Sequence, residues 1–269
     1  MNDASAQGNT EGLANLAIDP DVLARELAAE LDVDPLEEID LEGVDADARQ
    51  IARECDAGLE WLKQGHEERL QGLRVFCEHR DPRALPLLLP LLNEPCPVER
   101  MSAVYALGRN PCPPALELLL NLLKTDSNAY VRKATAWSLG NYLDSSVIDP
   151  LIHALQNDVA AVRLWASGSL ADVGATSPEK ADLSAKQLLI SLQIDTETVV
   201  RSNCIWALGR LYSKLKQSRR DELVVALLDV LLNDAEDSVR EEARIALEQL
   251  DEPKVFEMLQ ELINEGLLV

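Results

Sequence analysis

Apolar and polar positions alternate in two registers along this chain, and both registers repeat. The first is a phrase built on an arginine, small residues and a Leu-Gly. It reads PVERMSAVYALG from Pro97, YVRKATAWSLG from Tyr130, AVRLWASGSLA from Ala161, VVRSNCIWALG from Val199 and SVREEARIALE from Ser238. Small and apolar residues three, six and seven after each arginine share one face of a 3.6-residue helix, so each phrase predicts a helix with a narrow buried stripe. The small residues admit a close neighbour. Gly108, Gly140 and Gly209 stand near the ends of three of these helices, where a residue without Cβ serves a cap or a close contact.

The second register is a leucine-rich segment that follows about ten residues later: PALELLLNLLK from Pro114, VIDPLIHALQND from Val147, AKQLLISLQID from Ala185 and DELVVALLDVLLND from Asp221. Each ends in a polar turn bearing Asp or Asn. The unit is therefore a helix pair, neither member of which buries its apolar face alone. The anchoring arginines Arg100, Arg132, Arg163, Arg201 and Arg240 recur at a spacing that is shorter over the first three and longer over the last two, and a recurrence on this scale specifies a solenoid. Sliding back from Arg100 by one period reaches Arg69, and ERLQGLRVFCEHRDPRALPLLLPLLN aligns with ERMSAVYALGRNPCPPALELLLNLLK, with Cys77 in place of the glycine. The expectation is an all-α, right-handed solenoid of about six helix pairs over residues 51–269, preceded by an acidic arm over residues 1–50.

Composition supports stacked helices over a sheet core: 47% of residues are apolar but only 4% aromatic. No run of 18 apolar residues exists and the start lacks the pattern of a signal peptide, which predicts a soluble cytoplasmic protein without a membrane span. Five cysteines without paired spacing fit a reducing compartment. The net charge of −22 is uneven: residues 1–60 carry 17 acidic against 3 basic side chains and residues 221–269 carry 14 against 3, while the segment between them is slightly basic. Acidic ends either solvate the terminal repeats or dock on a basic partner. The arm, with an amphipathic segment DPDVLARELAAELDVD, is either disordered or folds onto the groove or a partner. Nucleic acid is excluded as a partner, because phosphate neutralisation needs a basic stripe that this charge opposes.

The helices bearing the arginine phrase line the concave side of such a solenoid. Residues two, five and nine after each arginine share a stripe off the buried line: Ser102, Tyr105 and Arg109, then Ala134, Trp137 and Asn141, then Trp165, Gly168 and Asp172, then Asn203, Trp206 and Arg210. Aromatic and arginine side chains on an exposed concave surface are typical anchors for a protein partner. The alternative is that the tryptophans fill space between repeats. The arginines Arg100, Arg132, Arg163, Arg201 and Arg240 either form a ladder for an anion or pair with the inter-helix Asp126, Asp158, Asp195 and Asp234; the second reading leaves them structural.

Candidate chemistry is sparse. Cys96 and Cys112 sit in proline-flanked turns at opposite ends of one helix, roughly 20 Å apart at the helical rise, so they cannot share a metal. The histidines are scattered and no CxxC is present. The reading holds no metal and no cofactor; Cys96 and Cys112 are the weak candidates for a thiolate donated to a partner's cluster. With no Gly-rich phosphate loop, GxSxG or HExxH, the sequence gives no support to a hydrolase or transferase.

YVRKATAWSLGNY, AAVRLWASGSLAD and VVRSNCIWALGRL resemble the HEAT-like repeats of the cyanobacterial phycobilin lyase family, over residues 66–262. That resemblance implies either a bilin lyase or bilin-handling subunit acting on phycobiliproteins with a second HEAT subunit, or a relative in phycobilisome degradation. Within the branch, RLQGLRVFCEHRDPRALPLLLPLL, MSAVYALGRNP and DEPKVFEMLQELINEGLLV resemble a HEAT-repeat partner of an A-type iron-sulfur assembly scaffold. This implies a non-catalytic adaptor whose groove grips an iron-sulfur assembly factor. The long acidic arm departs from the lyase pattern.

Overall fold

The computed structural model describes residues 48–268, except the side chain of Ser145. Two compact units divide at Ile51 and Ala52, and the acidic arm expected over residues 1–50 lies outside the described residues apart from the first residues of helix α1. Among the described residues there are helices and no strand. They run α1 (Ala48–Trp61), α2 (His66–Glu78), α3 (Leu85–Leu91), α4 (Pro97–Arg109), α5 (Pro113–Thr125), α6 (Ala129–Leu139), α7 (Ile148–Asn157), α8 (Ala160–Gly174), α9 (Pro178–Ile194), α10 (Thr198–Leu211), α11 (Gln217–Asn233), α12 (Asp237–Gln249) and α13 (Pro253–Asn264). Short 3₁₀ turns precede α3, α7 and α11.

From α2 onward these form six helix pairs, with α1 packed ahead of the first. The even-numbered helices carry the arginine phrase and make one layer; the odd-numbered helices make the other. Neighbouring helices of the arginine layer pack closely, whereas neighbouring odd helices touch sparsely, so the stack curves towards the arginine layer. Residue size is the cause. The interfaces of the inner layer are made of Ala103, Ala106, Ala134, Ala136, Ala166, Ala171, Cys204 and Ala207, all fully buried, while the outer helices contribute Leu119, Leu151, Leu188, Leu192, Leu223 and Leu227 to the space between layers. The irregular period has an equally plain origin: α9 and α11 are 17 residues long, against 13 and 10 for α5 and α7.

Gly108 and Gly140, near their helix ends, serve contact rather than a left-handed cap. A Cβ on Gly108 would stand 2.5 Å from Trp137 Cζ3, and one on Gly140 would stand 2.7 Å from Ser169 Oγ. Gly209 has open space around it. Among the described residues only Asp251 and Gly266 have positive φ.

Candidate partner-binding groove

Each of the first four arginines of the phrase links two turns of chain. The guanidinium of Arg100 donates to both carboxylate oxygens of Asp126, at 2.8 and 3.0 Å, and to the Glu94 carbonyl at 2.8 Å. Arg132 does the same with Asp158 and the Asp126 carbonyl, Arg163 with Asp195 and the Asp158 carbonyl, and Arg201 with Asp234 and the Asp195 carbonyl. Each of these aspartates also caps its turn by accepting a backbone N–H one or two residues on. Arg240 donates to the Asp234 carbonyl, and its carboxylate partner is Asp237 of its own helix, which is exposed. The guanidinium groups are thus engaged within the solenoid. Asp234 is held below the usual carboxylate range, chiefly by its hydrogen bonds from Arg201.

Of the stripe two, five and nine residues after the arginines, Ala134 is buried and the other residues are half-buried or exposed. Tyr105 and Trp137 stack at 5.3 Å between centroids, tilted by 55°, and Trp137 also covers Gly108. Both are half-buried. Trp165, also half-buried, has the Lys133 ammonium 5.8 Å from its ring. Trp206 is 47% exposed, with the Arg210 guanidinium 5.0 Å above its ring. The tryptophans therefore combine both alternatives: they pack between repeats and present a remaining face.

The polar border is partly committed. Arg109 donates to the Cys77 carbonyl at 3.1 Å, and Arg210 pairs with Asp172 at 2.9 Å. Burial pushes the Asp172 carboxyl up, against the pull of Arg210. Asn203 donates to the Leu164 carbonyl and to Ser167 Oγ, fixing α10 against α8, while Asn141 is exposed. Ser102 is half-buried and Ala134 buried. Gly168 interrupts the row. A Cβ there would meet only Asn203 Nδ2 at 3.5 Å and Trp206 Cζ3 at 3.8 Å, ordinary contacts, so no packing demand excludes alanine. A cleft of about 780 Å³ lies elsewhere, between α5 and α7 on the outer layer; its Asp126, Arg132 and Asp158 are already engaged in the clamps.

The two loop cysteines separate. Cys112 is buried at the start of α5, with the Tyr142 hydroxyl on its backbone N–H, which corrects the expectation of a thiol available to a partner. Burial raises the thiols of Cys55 and Cys204, and takes Cys77 to about 12, so these are poor nucleophiles and poor metal ligands. Cys96 is half-buried and stands in a cluster with His66 and Glu99. Along the sequence the histidines are scattered, and only the fold gathers one of them into a cluster. The period itself carried the signal, since the step that takes Arg100 back to Arg69 also takes Pro97, next to Cys96, back to His66.

A family model described as HEAT repeats matches residues 63–140, 116–209 and 185–266. The chain belongs to the HEAT-repeat family. Solved structures similar to this HEAT chain share its fold. The "Designed armadillo repeat protein YIII(Dq)4CqI" is 20% identical, with 74% of this chain and 100% of that chain covered and a TM-score of 0.53. The "Designed armadillo repeat protein YIII(Dq.V1)4CPAF in complex with peptide (KR)4" is 19% identical over 72% and 98%, with a TM-score of 0.57. A chain of the "Kap95:Nup1 complex" is 18% identical over 91% of this chain and 35% of its own length, with a TM-score of 0.58. No curated protein matches the HEAT chain significantly. Among the described residues no helix is long and apolar enough to cross a membrane.

Proposed function

We propose that this HEAT chain is a non-catalytic scaffold that holds a segment of a protein partner along its inner layer. The observation that carries the proposal is the aromatic row Tyr105, Trp137, Trp165 and Trp206, half-buried or exposed on the arginine-bearing helices while the repeat arginines are spent on the turns. Rigid aromatic faces lose little side-chain entropy on binding and dominate the energetics of interfaces. A similar fold binds a peptide in the designed armadillo complex, which supports the same use of this stacked surface. The resemblance of the repeats points to an A-type iron-sulfur assembly scaffold as the partner. Pull-down of such a purified scaffold by the wild-type chain and by a Trp137→Ala/Trp206→Ala variant tests this. Loss of two anchors weakens binding by about 30-fold or more, with helicity unchanged; unchanged affinity refutes the groove.

One observation favours a second reading. Trp206 is half-exposed with the Arg210 guanidinium over one face of its ring, an arrangement suited to a planar tetrapyrrole with propionates, as the resemblance to phycobilin lyases implies. Visible absorbance after incubation with a free bilin separates the two: a shifted chromophore band retained through gel filtration supports bilin handling, and no retained colour removes it.

A further inference from the structure

The repeat phrase places a valine immediately before the arginine in four of its five copies, Val131, Val162, Val200 and Val239, and all four are fully buried. The remaining copy has Glu99 there, 3% exposed. A carboxylate in a slot the fold otherwise fills with valine is costly to bury without partners. Its partners come from one repeat earlier. The Glu99 Oε1 lies 3.0 Å from His66 Nδ1 and 3.2 Å from an Arg69 amino group. Cys96 caps the same helix, three residues before Glu99, between Pro95 and Pro97. The ligand atoms of His66, Cys96 and Glu99 all lie within 4.8 Å of one another.

We propose that His66, Cys96 and Glu99 form a site for a divalent transition-metal ion of the zinc type, bridging the first two helix pairs. The donor set, one imidazole nitrogen, one thiolate and one carboxylate oxygen, is what such an ion prefers over calcium or magnesium. The separations are compatible with ligand bonds of about 2.0–2.3 Å after a small closure. Both metal-binding helix starts are held rigidly, α4 by the flanking prolines and α2 by its packing against α4. Arg69 is the charge that opposes a cation here, and it is answered by Glu94, whose carboxylate lies 3.4 Å from the same amino group. The ion's two charges then meet the thiolate and the Glu99 carboxylate, leaving the cluster neutral. Three protein ligands leave the fourth position of a tetrahedral ion open to water or to a donor from a bound molecule.

Cobalt(II) reports the site directly, because a thiolate ligand gives an intense near-ultraviolet charge-transfer band. Titration of the full-length chain, reduced and freed of metal by a chelator, is expected to produce that band with a one-to-one endpoint, and zinc is expected to bleach it. Cys96→Ser abolishes the band, and His66→Ala weakens zinc binding by at least about tenfold, the loss seen even for groups behind a ligand. Glu99→Val restores the valine of the other repeats; it folds, and it also loses the metal. In wild type alone, zinc raises the melting temperature by mass action. A titration with no charge-transfer band and no zinc-dependent melting shift overturns the proposal and leaves His66 and Glu99 a hydrogen-bonded pair. Zinc binding of equal strength in wild type, Cys96→Ser and Glu99→Val overturns it as well.

Discussion

Replacing Arg163 by leucine tests what the arginine phrase does. Arg163 and Asp195 are joined by two charge-assisted hydrogen bonds of 2.7 and 2.8 Å, with side chains only 17% and 5% exposed, and Arg163 donates a third bond of 2.8 Å to the Asp158 carbonyl. The leucine strands the Asp195 carboxylate, which keeps only the Glu197 N–H. Removing one partner of a buried pair costs about 3–5 kcal/mol, and the residual exposure of Arg163 sets the expectation at the lower end, about 3 kcal/mol. Adding Asp195→Asn removes the stranded charge, so the double variant is more stable than the sum of the single losses, with a coupling of about 1.5–3 kcal/mol. Urea unfolding followed by circular dichroism measures both quantities. Stacked repeats can also yield one section at a time, so hydrogen exchange of the α8 and α9 amides is measured in parallel to localise the loss. Arg240→Leu is the internal control: its carboxylate partner is the exposed Asp237, and the change costs less than about 1 kcal/mol. A loss below about 1 kcal/mol for Arg163→Leu, equal to that of the control, refutes the clamp as a source of stability.

Three further outcomes follow from the geometry. Gly108→Ala drives a Cβ to 2.5 Å from Trp137 Cζ3 and 2.9 Å from Ser138 Oγ and destabilises by about 1–3 kcal/mol, whereas Gly168→Ala meets only ordinary contacts and stabilises α8 by about 0.5–1 kcal/mol; thermal melts that rank them the other way contradict the packing described. Gly168→Trp places a further bulky ring in the aromatic row and weakens partner capture, read by the same pull-down used for the tryptophan variants. Asp234, Asp182 and Asp81 are held below the usual carboxylate range by Arg201, Arg219 and Arg83, so their contribution is complete above the unfolded carboxylate value of about 3.9 and is lost as pH falls through their lower folded values; Asp234→Asn shallows the acid limb of a stability-against-pH curve, and an unchanged limb denies the linkage.

The helix pairs were legible because their signal is local. Arginine, small residues and leucines recur at helical spacing, and the paired aspartates fall in the turns that the period marks. The wider intervals from Arg163 to Arg201 and from Arg201 to Arg240 were visible in the sequence, but their cause, the 17-residue α9 and α11, needed the observed helix starts at Pro178 and Gln217. What depends on the adjoining repeat was not legible. Gly108 and Gly209 hold the same place in the repeat, eight residues after the arginine, yet one lies under Trp137 and the other has open space around it, a difference set by which side chain the next helix lays across each. Cys112 reads as a loop thiol and is buried, with the hydroxyl of Tyr142 from the next repeat on its backbone. Likewise, the closeness of His66 to Glu99 joins two helix starts one repeat apart.

Arg240 reaches back to the turn before α12 and forward only to its own helix, so no arginine clamp of the repeat reaches α13, which packs through Val255 and Leu259 with Phe256 and Ile263 open to solvent. Opening of the array consequently has a direction. Within α10–α13, amides of α13 exchange first and its backbone meets a protease first, with later steps advancing towards α10 only as the Arg201–Asp234 link lets go. A molecule that covers the exposed face of α13 thereby lengthens the lifetime of the folded stack.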